Sequence, residues 1–220
     1  MAGKDKYEIK KWIKKIGIYT RRISNKNIFS NDLAIKSAKK ILKYIKPEDI
    51  DFLIYCTNTP DFLLPTNACL LQDRLGLNKN VGAFDVILAC SGYIYSLSIA
   101  KSLIVSGQAK NILLITSDTY SKFIKKNDAK TRILFGDGST STLISSKKKS
   151  NSFKIINFAY GTDGAGYKNF ILDNFGTKNW ANPKENGKYI YMHGANIFDF
   201  TLNEIPKSIK IFLKKNNFNI

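Results

Sequence analysis

The sequence predicts an α/β protein, a layered sandwich built from β-strand, α-helix, β-strand units. Apolar runs of strand length alternate with helical stretches between residues 52 and 144, which is typical of parallel strands joined by right-handed crossovers. The chain has 220 residues, 44% of them hydrophobic, and can bury a sizeable core. Residues 91–106 carry only one charge, so we expect a helix that is buried nearly all round.

The individual elements follow from apolar spacing and from residues that break it. Residues 1–16 repeat apolar side chains at helical spacing until Gly17 ends the pattern. Ser30 or Asn31 can cap a second helix, which runs to about Ile45. The other predicted helices run from Pro65 to Gly76, over 91–106, and from Ile197 with a kink or a start at Pro206. The predicted strands are 52–57, 84–88, 112–116, 141–145 and 153–158.

Composition argues against several classes of protein. Cys56, Cys69 and Cys90 lack the spacing of a metal site or of a disulfide framework, and no secretory signal begins the sequence. These features predict a cytoplasmic protein. A single histidine cannot supply a cluster of metal ligands, so we expect no metal. The longest uncharged stretch, 86–100, is shorter than a membrane-spanning helix, so we expect no membrane span.

The net charge of +18 raises the question of nucleic-acid binding. Only 4 of the 35 basic residues are arginines, and the lysines are spread over the whole chain. Recognition of phosphates and bases favours arginine and focused patches, so we predict no nucleic-acid partner. A basic surface would help to steer anionic partners toward the protein, although a solvated helix face explains the lysine runs equally well.

Cys90 is the candidate nucleophile. It lies between a predicted strand and the apolar helix, and two small residues, Ser91 and Gly92, follow it. Its thiol would therefore lie at the N-terminus of the helix, where the backbone dipole favours a thiolate. Without further context, however, a cysteine is more often an inert small hydrophobe.

Sequence motifs around Cys90 favour a nucleophile over an inert buried cysteine. The segment 83–120, which contains Ala89-Cys90-Ser91-Gly92, resembles the β-ketoacyl-acyl-carrier-protein synthase III family of thiolase-fold enzymes, in which the cysteine of this motif accepts the acyl group. The resemblance extends, in the family's order, through 17–23, 53–61, 135–138, 161–164 and 192–194.

The resemblance implies a thiolase-like fold with two similar halves, each a five-stranded sheet around buried central helices. Residues 1–146 would form the N-terminal half without its first strand, and residues 147–220 the beginning of the C-terminal half. The chain would then be truncated at both ends relative to the family. Because an unfinished sheet exposes unpaired strand edges, we predict poor solubility or obligatory association.

The resemblance also implies an acyltransferase. Cys90 would attack an acyl-coenzyme A thioester and hold the acyl group, which then condenses with malonyl-acyl-carrier protein in fatty acid or related acyl biosynthesis. Trp12 and Lys15 would hold the coenzyme A nucleotide, and Leu64 would reach across a homodimer interface to close the partner's acyl pocket. Surface packing is the alternative for Trp12, and plain loop packing for Leu64. The resemblance implies no cofactor beyond the substrates acyl-coenzyme A and malonyl-acyl-carrier protein.

Two alternative functions stay open. The family's catalytic histidine and asparagine lie on motifs that this sequence lacks, since its one histidine, His193, lies in a different segment. The protein could therefore be a non-catalytic or split thiolase-fold subunit, which binds acyl groups or pairs with a chain that supplies both residues. The other alternative is a cysteine hydrolase or acyltransferase with a Cys90–His193 dyad, although nothing around His193 in the sequence would orient a base.

Overall fold

The computed structural model describes residues 6–148, 150–179, 182–185 and 187–218. They divide into two compact units, each discontinuous in sequence. The first, here called the sheet unit, consists of Thr20–Lys122 and Gly136–Ile155, and the second, the helix unit, consists of Phe123–Phe135 and the described residues up to Tyr19 and from Ile156 onward. This division does not follow the expected boundary between residues 146 and 147, which stays a prediction about the two halves of the family fold.

The helices and strands are bounded as follows. The helices are α1 (Lys6–Ile16), α2 (Ser30–Ile41), α3 (Asn67–Arg74), α4 (Gly92–Val105), α5 (Ala129–Arg132) and α6 (Gly194–Lys215). The strands are β1 (Phe52–Cys56), β2 (Gly82–Val86), β3 (Asn111–Thr119), β4 (Asp137–Ser145), β5 (Phe170–Ile171) and β6 (Tyr191–Met192).

The sheet unit is built around four strands in the order β2-β1-β3-β4. The central strand β1 pairs in parallel with β2 and β3, and β4 pairs antiparallel with β3. The crossovers β1-α3-β2 and β2-α4-β3 carry α3 and α4, which cover the sheet together with α2. This architecture confirms the predicted α/β fold class of layered strand-helix-strand units.

Both faces of the sheet are buried, and the side chains of β1 alternate between them. Leu53 and Tyr55 pack with α2 and α3 in one hydrophobic cluster, whereas Ile54 and Cys56 pack with α4 in the other. Strand residues alternate between the faces of a sheet, so a strand that is apolar throughout is the expected result of two covered faces.

Within the described residues α4 is buried along one face only, whereas its apolar composition predicts a helix buried nearly all round. Gly92, Ser96 and Ala100 lie four residues apart on that face and let the helix approach the sheet closely. On other faces Ile94 is 46% exposed and Val105 is 76% exposed. The four-stranded sheet covers one stripe of the helix, and the other apolar residues of α4 stay exposed in the described part of the chain.

Other expectations about the elements need correction. The segment 153–158 is not a strand, and within the described residues no neighbouring strand pairs with it. Strand β2 ends at Val86 rather than at residue 88. Pro206 lies inside α6, which runs without interruption, because a proline removes one helical hydrogen bond but leaves the flanking turns intact.

Candidate active site

Cys90 lies on a short turn, residues 89–91, between the edge strand β2 and helix α4. Its thiol is exposed and free. Ala89, the residue before it, has a φ of 46°, in the left-handed region that non-glycine residues seldom adopt. The turn therefore presents the thiol at the amino end of α4 and at the carboxyl ends of the parallel strands, where α/β proteins usually place their reactive groups.

Gly92 starts α4 in close contact with the central strand. A Cβ atom at this position would lie 2.4 Å from the Cys56 sulfur and 3.5 Å from the Cβ atom of Leu88. The small residue after the Cys90 turn is therefore needed because the helix begins directly against a buried thiol of β1.

The three cysteines differ in their environments. Burial, supported by the nearby charge of Asp118, raises the pKa of the Cys56 thiol to about 11, so Cys56 stays protonated at neutral pH. Cys69 is exposed on α3, where its sulfur lies 3.1 Å from the Thr66 hydroxyl. Cys90 and Cys69 are thus the two accessible thiols, and only Cys90 lies on the turn described above.

A polar network connects the Cys90 turn to the two neighbouring strands. Asn58, which follows β1, accepts a hydrogen bond from the Ala89 N–H through its Oδ1 atom at 2.7 Å. The Asn58 N–H donates to Asp118 of β3 at 2.8 Å, and the hydroxyls of Thr57 and Thr59 donate to the same Asp118 oxygen at 3.3 and 3.1 Å. Burial raises the pKa of the Asp118 carboxyl above its usual value, and these donors partly offset that effect.

Tyr120 follows β3 beside the same network. Burial raises the pKa of its phenol, and the charges of Asp118, Cys90 and Cys56 raise it further. The hydroxyl therefore stays protonated at neutral pH.

Asn58, Asp118 and Tyr120 were not among the predicted site residues. A signal existed in the sequence, since each follows or ends an apolar strand, and the carboxyl ends of neighbouring parallel strands meet at one edge of a sheet. The order of the strands was needed to see that β1 lies between β2 and β3.

Leu64, the predicted pocket residue, lies in the loop between β1 and α3. It is 88% exposed, and its neighbours Phe62 and Leu63 are more than half exposed. In the same unit, Ile87 after the edge strand is 56% exposed. The loop thus presents apolar side chains outward within the sheet unit.

The structure places the other predicted binding residues in the helix unit. Trp12 is half-buried on α1, and Lys15, one helical turn further along, is exposed. The two coenzyme A candidates thus share a helix, whereas Cys90 and Leu64 lie in the sheet unit. His193 caps α6, since its Nδ1 atom accepts a hydrogen bond from the Asn196 N–H at 3.3 Å.

Two kinds of feature are absent from the residues that the structure describes. Histidine, cysteine and acidic side chains do not gather there in groups of three or more that could hold a metal ion. None of the helices in that part of the chain combines the length and the apolar character that crossing a bilayer requires.

Solved structures of known proteins share this architecture. The chain aligns with a crystal structure of 3-oxoacyl-(acyl-carrier-protein) synthase III at a TM-score of 0.86 and 37% identity, over 96% of this chain and 66% of that one. The synthase III of Aquifex aeolicus gives a TM-score of 0.82 and 30% identity, over 97% and 67%. The fold, with its cysteine on the turn before α4, is therefore that of the thiolase-like proteins, as predicted.

The family is equally clear. The sequence pattern of 3-oxoacyl-[acyl-carrier-protein (ACP)] synthase III matches residues 84–164. β-Ketoacyl-[acyl-carrier-protein] synthase III of Clostridium perfringens is 38% identical over 217 residues, which cover 95% of this chain and 65% of that protein. The chain belongs to the synthase III family, and it spans about two thirds of the length of the curated relatives that it matches.

Proposed function

We propose that the protein is an acyltransferase of the synthase III type, with Cys90 as the residue that accepts the acyl group. The observation that carries this proposal is the exposed thiol of Cys90 on a left-handed turn at the amino end of α4. The names of the relatives support it, since they are 3-oxoacyl or β-ketoacyl synthases that use an acyl carrier protein.

The first step is transfer of an acyl group from coenzyme A. The Cys90 thiolate attacks the thioester carbonyl carbon, a new carbon–sulfur bond forms, and the carbon–sulfur bond to coenzyme A breaks as coenzyme A leaves as its thiolate. The backbone N–H of Cys90 can stabilise the negative oxygen of the intermediate, a contribution typically worth about 3 kcal/mol per donor. Cys56 takes no part, because its raised pKa keeps it protonated.

The second step is condensation with malonyl-acyl-carrier protein. Decarboxylation of the malonyl group leaves an enolate, whose carbon attacks the acyl-cysteine and releases the Cys90 thiolate. In the family a histidine and an asparagine stabilise this enolate. His193 is the only histidine of this sequence, and its Nδ1 atom is engaged as a helix cap, so we do not assign the role to it.

The remaining site residues belong to the same proposal. Trp12 and Lys15 hold the nucleotide of coenzyme A, and Leu64 closes the acyl pocket of the second subunit in a homodimer. The exposure of Lys15 and of Leu64 supports both roles, since each side chain is available to a ligand or a partner. We also propose a cytoplasmic location, which agrees with three free thiols.

Mass spectrometry after incubation with acyl-coenzyme A tests the proposal. Acetyl-, longer and branched acyl-coenzyme A are offered to the wild type and to the Cys90→Ala and Cys69→Ser variants. An adduct of acyl mass on the Cys90 peptide, retained in Cys69→Ser and lost in Cys90→Ala, is the expected result. Absence of an adduct from every donor, with Cys90 still open to alkylation, would count against acyl transfer by this chain.

The apolar face of α6 favours a second candidate, a subunit that pairs with a polypeptide carrying the histidine and asparagine. Phe198, Leu202, Ile205 and Ile209 are spaced by three and four residues and are between 47% and 64% exposed. Such a stripe on a helix usually packs against protein. Mixing the chain with the final third of the Clostridium perfringens synthase should restore condensation if this candidate is right, and should leave it absent otherwise.

A further inference from the structure

We infer that Asn58 is a positioning residue, which holds the Cys90 turn in its reactive conformation through the Ala89 N–H and is itself held by Asp118. The inference rests on the proposed role of Cys90 as the nucleophile. Asn58 would act through the backbone of the turn, which donates to its side-chain oxygen.

The conformation of Ala89 requires support. A side chain at a φ of 46° brings its Cβ atom close to the backbone, which costs free energy relative to the right-handed or extended regions. Such residues persist where their surroundings determine them strongly. The hydrogen bond of 2.7 Å from the Ala89 N–H to Asn58 Oδ1 is a contact that does so, because it fixes the direction of the peptide that enters the turn.

Asn58 is in turn fixed from the opposite side. Its own N–H donates to Asp118 Oδ1 at 2.8 Å, so Asn58 connects the turn that follows β2 with strand β3. This connection crosses the carboxyl ends of three adjacent parallel strands, since Ala89 follows β2, Asn58 follows β1, and Asp118 is the second-last residue of β3.

Asp118 is fixed by a chain of buried hydroxyls. Thr59 donates to it, and because that donation uses the single hydroxyl proton of Thr59, Ser30 must be the donor in the 2.6 Å contact between Ser30 and Thr59. Ser30 and Thr59 are 0% and 3% exposed. Asp118, the acceptor that holds Asn58, therefore lies next to the buried core, and its direct donors Asn58, Thr57 and Thr59 remain when Ser30 is changed.

The alkylation rate of Cys90 tests the inference, with Cys69 as a reference thiol in the same molecule. Iodoacetamide is applied to wild type and Asn58→Ala at pH 7, and both cysteine peptides are followed by mass spectrometry. We expect the ratio of the Cys90 rate to the Cys69 rate to fall at least fivefold in Asn58→Ala, because Cys90 leaves its place at the amino end of α4.

Two further variants separate positioning from general stability. Ser30→Ala removes a buried hydrogen bond of the same network but leaves the contact between Asn58 and Ala89, so its rate ratio should equal that of the wild type. Glycine adopts positive φ without strain, so in an Ala89→Gly background the Asn58→Ala change should lower the ratio by less than twofold. A merely structural role for Asn58 would give the same loss in both backgrounds.

Each outcome decides the inference. A ratio in Asn58→Ala equal to that of the wild type overturns it, as does a loss of the same size in Ser30→Ala or in the Ala89→Gly background. Failure of the proposed function would look different, because the wild type would then be alkylated at Cys90 but not acylated by acetyl-coenzyme A. The alkylation ratio does not depend on acyl transfer and still decides the role of Asn58 in that case.

Discussion

At the scale of single residues, Gly92 packs directly against the buried side chain of Cys56. The space for a Cβ atom on Gly92 is taken by the Cys56 sulfur, which lies 2.4 Å from where that atom would be. Cys56 is 5% exposed and belongs to a buried hydrophobic cluster formed by the sheet and α4, so it has little room to move.

The first prediction concerns this contact. We expect Gly92→Ala to lower the free energy of unfolding by about 1–3 kcal/mol, the usual cost of overpacking. In a Cys56→Ala background the same change should be close to neutral, because the atom that it meets is gone. Urea denaturation of the four proteins of this double-mutant cycle measures the coupling, and purely additive effects would contradict the proposed contact.

Asp137 is a second residue of structural importance, because several hydrogen bonds converge on its carboxylate. It begins β4, and its carboxylate accepts hydrogen bonds from the backbone N–H groups of Ser24 and Ser121 at 2.8 and 2.9 Å and from their hydroxyls at 2.7 and 2.6 Å. Burial alone would raise the pKa of Asp137, but these bonds outweigh burial and lower the pKa. The Gly-Asp-Gly segment of the sequence thus joins the start of β4 to two loops of the sheet unit.

The second prediction is a pH dependence. A carboxyl whose pKa is lower in the folded protein stabilises the fold above the pKa of the unfolded chain, and this stabilisation is lost as the pH falls through the folded value. Asp137→Asn should therefore cost about 1–2 kcal/mol at pH 7 and progressively less below about pH 4.

Urea midpoints measured at several pH values check this prediction. Asp49→Asn is the control, because Asp49 is exposed and its carboxylate makes no hydrogen bond within the part of the chain that the structure describes. A difference between wild type and Asp137→Asn that stays constant down to pH 2.5 or so would show that the charge of Asp137 is not the cause.

At the scale of elements, helix α3 is attached to the edge strand through its amino end. Asp85 of β2 accepts hydrogen bonds from the backbone N–H groups of Asn67 and Ala68, both at 2.7 Å, and another from the Asn67 side chain. The first N–H groups of a helix have no partner within the helix, and a carboxylate there also interacts favourably with the helix dipole. Asp85 thus acts as a cap supplied by a neighbouring strand.

The third prediction tests this cap. Asp85→Ala should lower the free energy of unfolding by on the order of 2 kcal/mol and should increase hydrogen exchange in the first turn of α3. Asp73→Ala is the matched control, since Asp73 is an exposed aspartate of the same helix. Equal exchange of α3 in the two variants would contradict the role of Asp85.

At the scale of the whole molecule, the edge strand β2 pairs on one side only within the described residues. Apolar side chains accompany this edge, among them Ile87 and Leu88, which are 56% and 43% exposed. Exposed strand edges and apolar patches favour association with other polypeptides. The sequence-based expectation of obligatory association therefore stays a prediction, and it now has a defined surface.

The fourth prediction concerns association. Ile87→Glu should weaken self-association at least tenfold in analytical ultracentrifugation, because a charge would have to be buried in the interface. Val105→Glu serves as the control, since Val105 is 76% exposed at the end of α4. A monodisperse wild-type monomer at all concentrations, or equal weakening in both variants, would show that this surface does not mediate self-association.

Sequence patterns predicted most of the sheet unit correctly, because apolar runs and breakers are local signals. The strands 52–57 and 112–116 and the helix 91–106 were placed within a few residues of β1, β3 and α4. The strand predicted at 153–158 was wrong, since a strand exists only when a neighbouring strand pairs with it, and a local pattern does not report on neighbours.

The sequence alone determined the fold class, the family and the candidate nucleophile, since alternating apolar segments and the motif around Cys90 are readable without coordinates. Only the tertiary structure decided what supports that nucleophile. Asn58 is 31 residues from Ala89 and 60 residues from Asp118 along the chain, and the three meet because β1 lies between β2 and β3. The order of strands in a sheet depends on long-range pairing, and no local periodicity encodes it.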